Sequence, residues 1–259
     1  MKPTLNVYAL PRYVTPDELS GDTAVVIDVL RATTTIAYAL DAGAAEIIPC
    51  LEVADALVLA EQFPADEIVL GGERNGAPIE GFHLGNSPEE YQPYRVGGKR
   101  VIFTTTNGTR ALAHVRQADD VLLAAFVNAS AIVARLLERD RISIICAGTD
   151  GHVSEDDILL AGMLVDRLER RRGMVYHQNA QAITSREFWL NSFPLPQSLG
   201  AEPLSPERLA ERLRKSLGAR NLIALGMDDD ILAAAQLDKF DLVPRLNRAT
   251  FRISAAEDS

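Results

Sequence analysis

The sequence predicts an α/β fold, and three junctions are the main reason. A β-rich apolar run ends in a polar turn that opens directly onto a helix at residues 24–35, again at 101–110 and again at 142–151. The turns are Asp28-Val29-Leu30-Arg31-Ala32-Thr33-Thr34-Thr35, Thr104-Thr105-Thr106-Asn107-Gly108-Thr109-Arg110 and Ala147-Gly148-Thr149-Asp150-Gly151. Ligands of α/β sheets sit beyond the carboxyl ends of strands, where free helix N–H groups and the helix dipole favour anions. The recurrence therefore points to phosphate chemistry.

Taken in order, Leu5 to Ala9 reads as a strand and Ala24 to Leu30 as a second, followed by a helix over Thr33 to Ala42 that Gly43 ends. Ala45 to Cys50 is a strand, Val53 to Gln62 an Ala/Leu helix and Ile68 to Leu70 a short strand. Gly71 to Pro93 is rich in Gly, Asn and Pro and is expected as a long polar loop, either covering a substrate or folded on itself. Strand Arg100 to Thr104 feeds a helix from Thr109 to Val115; strand Val121 to Ala125 and helix Ala129 to Arg139 follow. Strand Ile142 to Cys146 leads to a helix over Ile158 to Arg170, whose start at Ser154-Glu155-Asp156-Asp157 supplies a cap and an acidic first turn. Asn191 to Pro203, with its prolines, is expected as a surface connection, and Ser205-Pro206-Glu207 as the start of a further helix. A helix over Ile231 to Leu237, opened by Met227-Asp228-Asp229-Asp230, and a strand over Thr250 to Ile253 complete the chain. Residues 1–253 are expected to form one compact unit and 254–259 a disordered tail.

Composition narrows the function. The formal net charge of −10 argues against a broad nucleic-acid or anionic-membrane surface, so an anionic ligand must be held by local arginines. Only Cys50 and Cys146 occur, too few for a disulfide framework or a cysteine zinc site. With no signal-peptide pattern and no membrane-spanning run, a cytoplasmic protein is expected.

Several residues suit phosphate chemistry. Asp28 interrupts an apolar strand just before its turn, where a carboxylate can ligate Mg²⁺, attack phosphorus or merely cap a helix. Arg31 can fork onto a phosphate or carboxylate, and Thr33, Thr34 and Thr35 offer hydroxyl and backbone donors. Asn107-Gly108 permits positive φ and an anion nest beside Arg110, or is an ordinary turn. Glu155, Asp156 and Asp157 give a dense set of hard oxygen ligands suited to Mg²⁺, more than the helix dipole requires. Asp228-Asp229-Asp230 has the same form and reads as a solvated cap, and Cys146 as an inert core thiol. Neither a Walker loop nor a G-x-G-x-x-G fingerprint is present.

Taken together, Val26 to Thr35, Gly72-Glu73-Arg74-Asn75-Gly76 with Gly85-Asn86-Ser87-Pro88, Thr105 to Arg110, and Cys146 to Gly151 with Glu155-Asp156-Asp157 resemble the 2-phosphosulfolactate phosphatase family. The resemblance runs in register to Ala224-Leu225-Gly226 and Asp230. It implies a three-layer α/β/α fold of two similar, intertwined units. It also implies a Mg²⁺-dependent phosphatase that converts 2-phospho-3-sulfolactate and water into 3-sulfolactate and phosphate, a step toward coenzyme M. On this reading catalysis is expected from Asp28, Arg31 and Asn107. Substrate binding is expected from Thr33, Thr34, Glu73, Arg74, Thr106, Gly108 and Arg110, and Mg²⁺ binding from Asp28, Glu155 and Asp156. The expected partner is a small phosphorylated anion, with a homodimer left open. The alternatives are a phosphatase for another phosphorylated hydroxy acid and a non-catalytic sensor of a phosphorylated metabolite.

Overall fold

The computed structural model describes residues 3–174, 176–193 and 204–256. Its strands are β1 (Thr4–Tyr8), β2 (Thr23–Ile27), β3 (Glu46–Pro49), β4 (Ile68–Arg74), β5 (Ala77–Pro78), β6 (Arg100–Thr104), β7 (Asp120–Ala124), β8 (Arg141–Cys146), β9 (His177–Gln178), β10 (Pro244–Asn247) and β11 (Arg252–Ala255). The helices are α1 (Ala32–Asp41), α2 (Val53–Ala60), α3 (Pro93–Val96), α4 (Gly108–His114), α5 (Ala129–Leu136), α6 (Glu155–Arg172), α7 (Ala180–Ser192), α8 (Pro206–Leu213), α9 (Leu217–Ala224) and α10 (Asp228–Ala234).

The strands form one mixed sheet of 11, in the order β5-β4-β6-β3-β11-β10-β7-β2-β8-β1-β9. Within it β4, β6 and β3 are parallel, as are β7, β2, β8, β1 and β9; the antiparallel hairpin β10–β11 joins the two groups. The chain begins the second group with β1 and β2, leaves to build the first with β3 to β6, and returns with β7 and β8. That path intertwines the halves, as the resemblance implies.

β2 explains the three layers. All five of its residues are buried, as expected of a parallel strand covered on both faces. Val25 and Ile27 join a core with residues of α5, α6 and α7, while Ala24 and Val26 join another with α1 and α4. The period-2 alternation of a strand sends successive side chains to opposite helical layers.

Several sequence expectations change. The segment expected as a loop from Gly71 continues β4 to Arg74, pairing Gly72 with Thr104 and then turning back antiparallel through β5. Gly72 has φ of 132°, and a Cβ there would lie 1.9 Å from the Thr104 carbonyl oxygen, so its glycine permits close pairing rather than ending the strand. Asn191 and Ser192 close α7, while 194–203 of the expected connection lie outside the described residues. β11 takes in Ser254 and Ala255, the first two residues of the expected tail, because they pair with Arg245 and Pro244. Residues 257–259 lie outside the described residues.

Candidate active site

The turns after β2, β4, β6 and β8 meet α9 around a cavity of about 290 Å³. Asp28, Arg31, Glu73, Thr106 and Asn107 line it, together with Asn75, Asn86, Thr149 and Asn221. Leu30, Leu222 and Leu225 give it an apolar side.

Asp28 leaves β2 and caps α1: its Oδ1 accepts from Ala32 N at 3.2 Å, and its carbonyl accepts from Thr33 N at 2.9 Å. Burial pushes its carboxyl up to about 7, and the neighbouring charges of Asp156 and Glu73 push the same way. Ala32 N–H and the Arg31 guanidinium act in the opposite sense. A carboxyl titrating there is matched to proton transfer near neutral pH.

Arg31 lines the cavity with little freedom. Nη1 donates to Asp230 Oδ2 at 2.5 Å, to Met227 Sδ at 3.0 Å and to Ser87 Oγ at 3.4 Å; Nη2 donates to the Gly76 carbonyl at 2.8 Å. Ser87 Oγ also donates to Asp230 Oδ2, at 2.9 Å. Asp230 is thus buried and ion-paired, which corrects its reading as a solvated cap.

Glu73 accepts from Thr106 N at 2.6 Å, Gly76 N at 2.7 Å and Thr106 Oγ1 at 3.1 Å, tying the turns after β4 and β6 together. Asn107 precedes α4 at its N-cap, and its side chain makes no capping bond. Gly108 lets α4 approach, since a Cβ there would lie 2.5 Å from the Ala32 Cβ and 2.8 Å from Asp28 Oδ2.

The acidic run at the start of α6 is divided by helical phase. Glu155 is exposed and pairs with Arg212 at 3.0 Å, away from Asp28, which corrects its expected place among metal ligands. Asp157 turns inward, accepting from Val29 N and Gly148 N at 2.9 Å each, and so clamps the ends of β2 and β8. Asp156 faces the Asp28 side, with the Ser154 hydroxyl on its Oδ1 and further bonds from Ser216 and Leu30 N–H. Burial raises the carboxyl pKa of both Asp156 and Asp157. Among the described residues no three His, Cys, Asp or Glu side chains surround a single point that could hold a metal.

Besides Gly108, four expected substrate-binding residues do not line the cavity. Thr33 and Thr34 are buried, with hydroxyls donating to the carbonyls of Asp28 at 2.8 Å and Val29 at 2.7 Å; these bonds build the turn. Arg74 is spent on the Leu51 carbonyl at 2.6 Å and Thr104 Oγ1 at 2.7 Å, because alternation along β4 sends it opposite to Glu73. Arg110 is exposed on α4. Cys146 is fully buried and its thiol is pushed well up by burial, in keeping with an inert core thiol.

A family model described as 2-phosphosulpholactate phosphatase matches residues 8–249. The chain belongs to the 2-phosphosulfolactate phosphatase family. It is 38% identical over 251 residues to a protein of Caldanaerobacter subterraneus subsp. tengcongensis, covering 96% of this chain and 98% of that one. It is 40% identical over 230 residues to one of Symbiobacterium thermophilum (88% and 92% covered) and 40% over 235 residues to one of Deinococcus radiodurans (89% and 90%). Each bears the name "Probable 2-phosphosulfolactate phosphatase". The family is one of phosphoric monoester hydrolases, and no helix among the described residues is long and apolar enough to cross a membrane.

Proposed function

We propose that this chain hydrolyses 2-phospho-3-sulfolactate to 3-sulfolactate and phosphate, with Mg²⁺ as cofactor. The observation that carries the reading is the buried carboxyl of Asp28 at the cavity, raised to about 7 and facing Asp156 and Arg31, in a chain whose relatives bear that name. A phosphoryl group seated beside Asp28 meets the guanidinium of Arg31 and the polar side chains of Thr106 and Asn107. Those groups stabilise charge on its oxygens, and Asp28 is placed to exchange a proton or to attack.

The donor set fits a hard cation. Asp28 and Asp156 are buried carboxylates whose ionised forms disfavour one another, and Mg²⁺ characteristically takes one or two carboxylates with water completing its shell. These two residues would hold it, and when bound it would neutralise phosphoryl charge. The reading sets the reaction in the cytoplasm, where two free buried thiols are at home, and in a route to coenzyme M.

One observation favours a second reading, a phosphatase for a less charged phosphorylated hydroxy acid. Arg31 is the cation lining the cavity among the described residues, and Asp230 already offsets its charge. A phosphate-release screen over phosphorylated hydroxy acids, with and without Mg²⁺, separates the two. Preference for 2-phospho-3-sulfolactate supports the first, and equal or faster turnover of a non-sulfonated analogue supports the second.

A further inference from the structure

Asn86 has no part in the assignments above, yet its backbone and those of its neighbours are braced from several sides. Its carbonyl accepts from Thr35 Oγ1 at 2.8 Å, which ties it to α1. Next to it, the Gly85 carbonyl accepts from Tyr91 Oη at 2.7 Å and from Gly72 N at 3.1 Å, while Gly85 N donates to Glu90 Oε2 at 2.8 Å. The following residue, Ser87, is bonded to Asp230. The backbone is therefore fixed on both sides of a side chain that is itself only 4% exposed and lines the cavity. Its Oδ1 is buried without a hydrogen-bond partner.

Buried polar atoms are almost always paired, and an orphan in a well-braced position asks for a reason. Rotation of the terminal amide exchanges its oxygen with its NH₂ group, so the same position can offer an acceptor or a donor. The charges around the cavity say which is wanted. Of the arginines expected to read the acid groups of the substrate, Arg74 and Arg110 lie elsewhere and Arg31 is paired with Asp230. An acid group remote from the phosphoryl end must then be met by neutral donors.

We propose that Asn86 is a specificity-determining residue, whose amide hydrogen-bonds the remote acid group of a phosphorylated hydroxy acid and of its hydroxy-acid product. This rests on the phosphatase reading above and extends it. Its geometry resembles that of sites in which a polar group left unpaired in the free protein discriminates sharply between ligands with and without a partner for it.

The test measures 3-sulfolactate binding by calorimetry and steady-state kinetics on 2-phospho-3-sulfolactate and propyl phosphate, for the wild type and Asn86→Leu. A lost bond to a charged group should weaken 3-sulfolactate binding, and raise KM for the sulfonated substrate, on the order of 10- to 100-fold. Propyl phosphate, which has no remote acid, should change less than about threefold. Thermal stability should hold or rise, because an unpaired buried amide is replaced by an apolar side chain of similar size, whereas a purely structural asparagine would lose stability. Should Asn86→Leu fail to fold, Asn86→Asp keeps the size and places a negative charge against the remote acid, with the same weakening of 3-sulfolactate expected. Equal factors on both phosphoesters, or unchanged 3-sulfolactate binding, overturn the proposal. If the wild type turns over neither phosphoester, the phosphatase reading fails, and calorimetry on 3-sulfolactate still decides the role of Asn86. A wild type that does not bind 3-sulfolactate overturns the role as well.

Discussion

Gly108 approaches Asp28 so closely that a Cβ on it would stand 2.8 Å from Asp28 Oδ2 and 2.5 Å from the Ala32 Cβ. The first turns of α4 and α1 can therefore pack at the cavity only while residue 108 has no side chain. Gly108→Ala is expected to push the two apart, at about 1–3 kcal/mol of stability. Because a displacement near 1 Å at a reacting centre costs roughly 10²-fold, kcat should fall by about that factor. Kinetics alongside thermal melts check both, and an alanine enzyme of normal kcat would show that the close approach is not needed for turnover.

Asp28→Asn should lower kcat by roughly 10² to 10⁴, the loss expected when a proton-transfer or charge-stabilising group is removed. The Oδ1 cap to Ala32 N survives in asparagine, which caps about as well as aspartate. Stability should even gain. The folded carboxyl is raised to about 7 from an ordinary 3.8, so ionised Asp28 destabilises the fold, and the penalty grows as pH climbs between those values. In EDTA, the Tm advantage of Asp28→Asn should be absent at acid pH below the ordinary value, grow towards pH 7 and level off above it. An advantage that shrinks as pH rises would have the wrong sign.

The Arg31–Asp230 pair is buried at both ends. Removing either partner strands a charge, so Arg31→Met and Asp230→Asn should each cost about 3 kcal/mol or more. The double variant should be less unstable than the sum of the singles, yet remain inactive. Chemical denaturation of the three proteins measures the coupling, and strict additivity would show the pair to be energetically idle.

Arg110→Met should leave kcat/KM and stability nearly unchanged, since the exposed side chain stands clear of the cavity. Arg74→Met should cost about 1–3 kcal/mol through its lost bonds to Leu51 and Thr104, and affect every substrate alike. A substrate-selective defect in either would return that arginine to the binding site.

These two arginines show where the sequence stops being legible. Asp28 could be found because a lone carboxylate ends an apolar strand, and β2, β6 and β8 because their runs are β-branched and bounded by turns. Glu73 and Arg74 need the phase of β4, which Gly71 and Gly72 hide because glycine ordinarily ends a strand pattern. The acidic run at α6 needed the helical phase that turns Asp156 inward and leaves Glu155 to Arg212. Asp230 and Asn86 fall within matched motifs, but their roles are not legible in the sequence, because these lie in partners or cavity walls supplied by distant parts of the chain.

The proposed divalent cation, held by Asp28 and Asp156, serves phosphate release at this cavity. The most direct measurement is the rate of phosphate release from 2-phospho-3-sulfolactate as free Mg²⁺ is titrated, for the wild type and for Asp156→Asn. No turnover is expected in excess EDTA, with full recovery on adding Mg²⁺ and a requirement for roughly tenfold or more Mg²⁺ in the variant, in line with the loss of one carboxylate ligand. Full turnover of the wild type in excess EDTA would exclude the cation from the reaction.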